Sequence, residues 1–197
     1  MCLLIETIRI EDRKLQNICF HNERFNGSRK DIFGIKQESD LEKIIDIPSS
    51  IPAGKYKCRV LYSTEIISIT FQEYKIKKLD TLQIVEDNTI EYAYKFHDRR
   101  QIEKLNLNRK SDDILIIKNG LITDTSYANI VFWDGIKWIT PSSPLLRGTM
   151  RSRLLADNKI QHEELHKSEI KLFKSAKIIN AMIGLEESPT IKIKNIY

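Results

Sequence analysis

Interleaved strand and helix patterns predict an α+β fold for this chain, arranged in two lobes. Segments typical of strands alternate with segments of helical spacing, and a charged stretch near residues 76–82 interrupts the pattern. The 197 residues are enough for one large domain or two small ones with a buried core. We therefore predict a small N-terminal α/β lobe over residues 1–76 and a larger C-terminal lobe over residues 83–197.

The first lobe is predicted to contain three strands and two helices. A capping box, Ser39 with Glu42, indicates that a short helix begins here. In the helix before it, Gly27 weakens the helical pattern. The predicted segments are a strand over 3–10, a helix over 21–34, a short helix over 39–45, and a strand pair over 56–62 and 66–71.

The second lobe is predicted to begin with a helix and then to form two β-hairpins. Asp98 with Gln101 resembles a helix start. The dipeptides Asn119-Gly120 and Asp134-Gly135 consist of residues that tolerate positive φ, so both predict type I′ turns. The remaining segments are hairpin strands within 114–140, a helix from Gly148-Thr149 to Asn158, another over 168–175, and a late strand at Ile178-Ile179.

The composition argues against two classes of partner. The net charge is +5, from 32 Lys and Arg against 27 Asp and Glu, and no stretch has five like charges in a row. Nucleic-acid binding is therefore not indicated, and an anionic small molecule fits the excess equally well. No apolar run approaches the ~20 residues that span a bilayer, and the start lacks a signal-peptide pattern. Three cysteines without metal-ligand spacing suit reduced thiols, so we expect a cytoplasmic protein.

A few residues could carry chemistry, although each has an ordinary alternative when it is taken alone. Gly148 and Thr149 precede a helical run, where free amides bind phosphate, but they also fit a plain helix cap. Lys95 lies between aromatic residues, and an apolar setting lowers a lysine's pKa and favours a nucleophilic amine. A structural lysine with an exposed ammonium is the commoner case. Asp124 and Asn129 lie beside hairpins, as turn-side polar residues often do.

The order of five motifs changes this interpretation. HNERF, YKFHDR, ITDTSYANIVF, TPSSPLLRGTMR and INAMIGL follow one another along nearly the whole chain. In this order the sequence resembles the class IV aminotransferases. These are the fold-type IV pyridoxal-phosphate (PLP) enzymes, which include branched-chain and D-amino-acid aminotransferases and aminodeoxychorismate lyase. The block from 120 to 154 is the most specific part of the resemblance.

The resemblance implies a two-lobed fold-type IV architecture with a PLP site. Lys95, in the C-terminal lobe, matches the family's Schiff-base lysine. Arg24, otherwise an ordinary helix-surface arginine, matches the arginine that holds the cofactor phosphate. Asp124 falls where the family usually has a glutamate facing the pyridine nitrogen, and a carboxylate there keeps that nitrogen protonated. Asn129 is expected to fix the loop or the carboxylate. The remaining cofactor positions match Gly148, Thr149, Met150 and, less closely, Asn180.

Two residues bear on the substrate. In the lyase branch the position of Thr7 holds a threonine near the reacting atoms, although a threonine also simply favours a strand. Arg59 lies on a strand where family members often place a substrate-carboxylate arginine. We therefore expect a lyase that releases pyruvate and 4-aminobenzoate, a folate precursor, from aminodeoxychorismate. The alternative is a class IV aminotransferase acting on branched-chain or D-amino acids.

The resemblance further implies a homodimer that acts on a small-molecule amino substrate. A degenerate relative, which would bind a cofactor or a partner without turnover, is another possibility. The presence of Lys95 argues against it.

Overall fold

The computed structural model describes residues 2–197, which fall into two units. Unit 1 is the chain up to Ile76 together with Tyr94–Asp98, and unit 2 is Lys77–Ala93 together with Arg99–Tyr197. Each unit combines a β-sheet with helices, so the α+β class is confirmed. Within the described residues, no helix combines the length and apolar character that a membrane span needs.

The segment that carries Lys95 belongs to unit 1, whereas the sequence placed it in the C-terminal lobe. A backbone bridge joins Leu4 to Phe96. The amide of Ile5 donates a hydrogen bond to the carbonyl of Lys95 at 3.0 Å. These contacts attach the lysine segment to the first strand of the chain, across about ninety residues of sequence.

Unit 1 is an antiparallel four-stranded sheet with a long helix packed on one face. Its elements are β1 (Leu4–Glu11), β2 (Lys14–Leu15), α1 (Ile18–Phe33), α2 (Leu41–Ile44), β3 (Lys55–Tyr62) and β4 (Ile66–Glu73). The strands have the spatial order β2-β1-β3-β4. Because successive side chains of a strand point to opposite faces, Ile8 and Val60 pack into a core with Phe25 of α1, and all three are buried.

Helix α2 is confirmed, but its predicted cap is wrong. Asp40 is the N-cap residue, and its carboxylate accepts a hydrogen bond from Glu42 N at 3.0 Å. Ser39 is instead held by helix α1. Its hydroxyl accepts a hydrogen bond from Arg29 (3.0 Å), and its amide donates to the side chain of Asn26 (2.9 Å).

Unit 2 is built on a mixed eight-stranded sheet. Its helices and strands are β5 (Leu82–Glu86), α3 (Arg100–Asn106), β6 (Asp113–Lys118), β7 (Leu121–Thr125), β8 (Asn129–Trp133), β9 (Trp138–Pro141), α4 (Thr149–Ala156), β10 (Gln161–Glu163), β11 (Ser175–Ile179) and β12 (Ile191–Lys192), with 3-10 helices at Lys167–Leu172 and Ile193–Asn195. The order is β10-β9-β8-β7-β6-β5, and β11 pairs with both β8 and β12. The pairs β5–β6 and β9–β10 are parallel.

The two predicted hairpin turns differ in type. Asn119 and Gly120 have φ values of 54° and 78°, which confirms a type I′ turn. At the second hairpin only Gly135 has a positive φ, so the type I′ prediction is wrong there. The carboxylate of Asp134 accepts a hydrogen bond from Ile136 N at 2.6 Å, and this local contact stabilises a different turn.

Candidate active site

The turn between β7 and β8 brings a buried carboxylate and a buried carboxamide together. Asp124 and Asn129 are directly paired across the two strands. Asn129 Nδ2 donates to Asp124 Oδ1 at 2.7 Å and to the carbonyl of Leu146 at 2.8 Å. The amide of Leu146 donates to Asp124 Oδ2 at 2.9 Å. Asn129 therefore fixes both the carboxylate and the loop that leads to helix α4.

Hydrogen bonds between Thr125 and Ala128 close the turn that joins β7 and β8. The amide of Thr125 donates to the carbonyl of Ala128 at 2.9 Å, and the amide of Ala128 donates back to the Thr125 hydroxyl at 3.2 Å. Thr125 and Ala128 thus satisfy each other's backbone groups, and Arg99 donates to the carbonyl of Ser126 within the turn.

Burial controls the charge of Asp124. Removal from water raises the pKa of this carboxyl to about 6. Hydrogen bonds from Leu146 and Asn129 and the positive charge of the buried Arg151 oppose this increase without cancelling it. A further cation next to the carboxylate would stabilise its ionised form, so this position is suited to pairing with a protonated ring nitrogen.

The start of helix α4 lies against the same pair of residues. A Cβ added to Gly148 would overlap Asn129 Oδ1, so glycine is required here by close approach. Thr149 and Met150 follow as the first two residues of the helix, and both are buried. The first amides of a helix have no partner within the helix and attract anions. The structure thus places this helix start beside Asn129, the hydrogen-bond partner of Asp124.

In unit 1, a buried carboxylate positions Arg24. Arg24 Nε donates to Glu6 Oε1 at 2.8 Å and its NH2 group donates to Glu6 Oε2 at 2.6 Å. The same Oε2 lies 2.6 Å from His21 Nδ1. Glu6 and His21 are completely buried. Sequence analysis missed Glu6 and His21, although a glutamate on the apolar face of β1, between Leu4 and Ile8, is a recognisable signal.

The charges of this cluster determine its protonation. Burial alone would raise the pKa of Glu6, but the charge and hydrogen bonds of Arg24, assisted by His21, lower it to about 2. Burial also lowers the pKa of His21, against the opposing effect of Glu6, and the positive charges of Arg24 and Lys95 lower it further. Lys95 therefore lies within the electrostatic range of the cluster that holds Arg24.

Lys95 itself is anchored by its neighbours. Tyr94 and Phe96 pack on the core of unit 1, and their rings meet edge to face with centroids 6.0 Å apart. Lys95 is only half-buried. The flanking aromatic residues thus fix the backbone on both sides of the lysine.

Thr7 and Arg59 are directly opposite each other in the register of β1 and β3. Their side chains therefore share one face of the sheet, whereas Glu6 points to the other. Arg59 also contacts the imidazole of His97, at 2.9 Å. The structure thus brings together the two residues that the sequence assigned to the substrate.

Asn180 lies in the turn after β11, directly after Ile179, which pairs with Asn129 of β8. Its side-chain oxygen accepts hydrogen bonds from Met182 N (2.8 Å) and Ile183 N (3.1 Å). These contacts give Asn180 a role in its own turn. The proposed contact with a cofactor phosphate rests on the resemblance alone.

Comparison with known proteins identifies the family. The model of the family described as amino-transferase class IV matches residues 88–186. An uncharacterized protein of Haemophilus influenzae (strain ATCC 51907 / DSM 11121 / KW20 / Rd) is 40% identical over 185 residues, which cover 92% of this chain and 98% of that protein. The chain therefore belongs to the class IV aminotransferases, a family of PLP-dependent enzymes.

Solved structures agree with this assignment. One is a crystal structure from Haemophilus somnus 129PT, provisionally named a 4-amino-4-deoxychorismate lyase. It is 33% identical to this chain and has a TM-score of 0.88, and the match covers 94% of this chain and 98% of that one. A hypothetical aminotransferase from Mycobacterium tuberculosis, in its PLP-bound form, is 12% identical with a TM-score of 0.75 over 96% of this chain and 80% of that one. At that identity the second likeness shows the fold alone.

The residues present fit PLP in their chemistry. The buried carboxylate of Asp124, with its raised pKa, suits a cationic ring nitrogen. The first turn of α4, at Thr149 and Met150, presents backbone amides that a helix does not use internally, and such amides suit an anion. Arg24 donates from Nε and NH2 to Glu6, which fixes its guanidinium, and a phosphate would bind through the N–H groups that are not directed at Glu6. Lys95 supplies the primary amine that a Schiff base needs.

Proposed function

We propose that this chain is a PLP-dependent 4-amino-4-deoxychorismate lyase, which releases pyruvate and 4-aminobenzoate for folate synthesis. The observation that carries the proposal is the direct pairing of Thr7 with Arg59 in β1 and β3. The pairing puts a hydroxyl next to a guanidinium, so a substrate carboxylate bound by the arginine would lie beside a proton donor. The name of the 33% identical structure supports the same reaction.

The following side chains and backbone groups would bind the cofactor. Lys95 forms the covalent link, Asp124 pairs with the ring nitrogen, and Asn129 holds Asp124 in place. Arg24 binds the phosphate. The backbone at Gly148, Thr149 and Met150, together with Asn180, would complete the phosphate site.

When bound, PLP supplies the electron-withdrawing ring that accepts charge from the substrate's α-carbon. The amine of Lys95 would take the α-proton of the substrate as a general base. Asp124 stays ionised and keeps the ring nitrogen protonated. Arg59 binds the carboxylate, and Thr7 delivers a proton near the bond that breaks.

A class IV aminotransferase acting on branched-chain or D-amino acids is the second candidate. The family model itself favours it, because its description names amino transfer. In this reaction Lys95, Asp124 and Arg24 keep the same roles, whereas Thr7 no longer acts as a proton donor. The two candidates therefore differ at the substrate side of the site.

We further propose that the enzyme is a homodimer in the cytoplasm. In this family the site is completed at a subunit interface, and a first unit of about 80 residues offers little to enclose the substrate alone. Cys2, Cys19 and Cys58 are free thiols, as a reducing compartment would leave them. Sedimentation of the active enzyme at assay concentration tests the dimer, and an active monomer would refute it.

Product analysis tests the reaction itself. The holoenzyme is incubated with aminodeoxychorismate in one reaction and with paired amino and keto acids in another, and the products are separated by liquid chromatography. We expect 4-aminobenzoate and pyruvate in equal amounts from the first reaction only. A Lys95→Ala variant serves as the control for spontaneous breakdown. Exchange of amino groups in the second reaction, without 4-aminobenzoate in the first, would establish the aminotransferase instead.

A further inference from the structure

The hydrogen bond between Arg59 and His97 fixes the tautomer of a neutral imidazole at this position. Arg59 NH2 lies 2.9 Å from His97 Nδ1. A guanidinium can only donate hydrogen bonds, so Nδ1 is the acceptor. In a neutral ring the hydrogen is then on Nε2, which becomes a donor. The pair therefore offers the remaining N–H groups of Arg59 and the Nε2–H of His97, and all of these are donors.

The surface around this pair favours an anion. On the same face, Arg9 pairs with Lys57 and Glu11 with Lys55 in the register of β1 and β3. The carboxylate of Glu11 is occupied by Arg9, with an N–O distance of 2.6 Å. Among residues 2–197, Arg59 has no carboxylate within ion-pair distance. A guanidinium without an acidic partner, on a cationic face, is a ready site for a carboxylate.

The backbone holds His97 at a fixed distance from the lysine. His97 follows Lys95 by two residues, and its amide donates to the carbonyl of Leu3 at 2.8 Å. The amide of Ile5 donates to the carbonyl of Lys95 at 3.0 Å. Lys95 and His97 are therefore attached to the start of β1, at Ile5 and Leu3, which precede Thr7 by two and four residues. A donor fixed in this way loses little freedom when it binds a ligand.

We propose that His97 determines substrate specificity by binding a carboxylate of the substrate through Nε2–H, together with Arg59. The inference rests on the proposed function, because Lys95 must be the residue that receives the substrate amine. It adds to that function a second side chain, beside Arg59, that binds the substrate carboxylate. It applies to the lyase and to the aminotransferase alike, since both act on amino acids.

Calorimetry on the holoenzyme tests the donor directly, without turnover. Benzoate serves as the carboxylate probe and benzamide as its uncharged counterpart. A hydrogen bond to a charged group is strong, so His97→Leu should weaken benzoate binding about tenfold or more and leave benzamide unchanged. His97→Gln keeps an N–H donor near the position of Nε2 and should restore most of the affinity. His162→Leu, at an exposed histidine on β10, should change neither ligand.

Steady-state kinetics provide the second measurement. His97→Leu should raise KM about tenfold with kcat nearly unchanged, as expected when binding is lost equally from the ground and transition states. Unchanged benzoate affinity in His97→Leu, an equal loss in His97→Gln, or no benzoate binding by the wild type would overturn the inference. If no 4-aminobenzoate forms but the benzoate effect is present, the proposed lyase reaction fails and the role of His97 stands.

Discussion

Asn129 Nδ2 donates a hydrogen bond of 2.7 Å to Asp124 Oδ1, across a turn in which the two residues are directly paired. The same carboxamide nitrogen donates to the carbonyl of Leu146, whose amide donates to the other oxygen of Asp124. The carboxylate is thus held at both oxygens by groups that cannot rotate independently. The carboxylate therefore has a fixed direction before any cofactor binds, which reduces the cost of ordering the site.

Gly148→Ala should disturb this arrangement through one methyl group. The new Cβ would overlap Asn129 Oδ1 and push the carboxamide from Asp124. Overpacking of a buried site typically costs about 1–3 kcal/mol, and we expect that loss in urea unfolding together with weaker PLP binding. Gly27→Ala is the matched control, because a Cβ at this position in α1 has no neighbour within 4 Å. It should leave PLP binding intact and stabilise the helix by up to ~1 kcal/mol. Equal stability of the two variants would contradict the claim that the close approach of Asn129 requires glycine at position 148.

The raised pKa of Asp124 predicts a pH-dependent stability of the apoprotein. A carboxyl whose folded pKa is about 6, against a usual value of 3.8, binds protons more tightly in the folded state. The stabilisation of the folded state by the protonated Asp124 carboxyl is therefore fully present below pH 3.8, and it is lost as the pH rises through about 6. Relative to Asp124→Asn, the wild-type apoprotein should lose roughly 3 kcal/mol of unfolding free energy over this range, at about 1.36 kcal/mol per pH unit. A parallel pH dependence of the two proteins would show that Asp124 has an ordinary pKa.

Bound PLP should reverse this effect, because a protonated ring nitrogen favours the charged carboxylate. Asp124→Asn should therefore keep much of its cofactor affinity, since the residues proposed to bind the phosphate are unchanged, but lose most of its turnover. Absorbance titration measures the first and product formation the second. Near-normal turnover would mean that another group serves the ring nitrogen.

Glu6→Gln should be far more damaging than a similar change on the same strand. The substitution leaves Arg24 and His21 without their buried anion, and breaking a buried pair costs about 3–5 kcal/mol. Glu11→Gln is the matched control, because Glu11 is 40% exposed and pairs with Arg9 near the surface. Surface pairs contribute under about 1 kcal/mol. Chemical denaturation at pH 7 should separate the two variants, and equal losses would rule out a special role for Glu6.

The acid limb of the stability curve checks the same cluster. The pKa of Glu6 is lowered from 4.5 to about 2, so its stabilising contribution is present above pH 4.5 and disappears as the pH falls through about 2. The difference in unfolding free energy between wild type and Glu6→Gln should therefore shrink over this range. A difference that is constant with pH would show that the carboxylate is not ionised by Arg24.

Most strands and helices were predictable because their signals are local. The alternating pattern at 3–10 and the Asn119-Gly120 dipeptide determine β1 and the first hairpin, whose observed forms agree with the prediction. Strand β5 was missed. Its parallel partner β6 lies about thirty residues further along the chain, and LQIVE has no turn dipeptide beside it. The turn at Asp134-Gly135 was predicted with the wrong type, because a hydrogen bond to the side chain of Asp134 stabilises a different turn.

The site was predictable where the resemblance supplied spacing and not where contacts are long-range. Asp124 and Asn129 lie five residues apart, and the structure pairs them directly. The attachment of Lys95 to unit 1 depends on a bridge from Phe96 to Leu4, which no local pattern reveals. Likewise, the contact between Arg59 and His97 joins positions 38 residues apart.

Borohydride reduction should identify the lysine that binds PLP. The purified enzyme should be yellow, and reduction followed by digestion and mass spectrometry should place the label on the peptide with Lys95. Lys118 is a useful comparison, because its ammonium is already paired with Glu91 at 2.5 Å. Label on Lys118 or any other lysine would refute the assignment of Lys95. Lys95→Arg should remain colourless after incubation with PLP, since a guanidinium forms no Schiff base.

Thr7→Val tests whether the hydroxyl beside Arg59 takes part in the lyase reaction. Valine keeps the β-branched shape, so β1 should survive and the cofactor absorbance should be unchanged. A positioned proton donor contributes ~10²–10⁴-fold, and we expect release of 4-aminobenzoate to slow at least tenfold. Thr70→Val is the control, because Thr70 lies opposite Arg59 on the other neighbouring strand and is exposed. It removes the same hydroxyl from the same face and should leave the rate within about twofold, as a surface change normally does. Equal rates for Thr7→Val and wild type would mean that the proton comes from elsewhere and that Thr7 is only a strand residue.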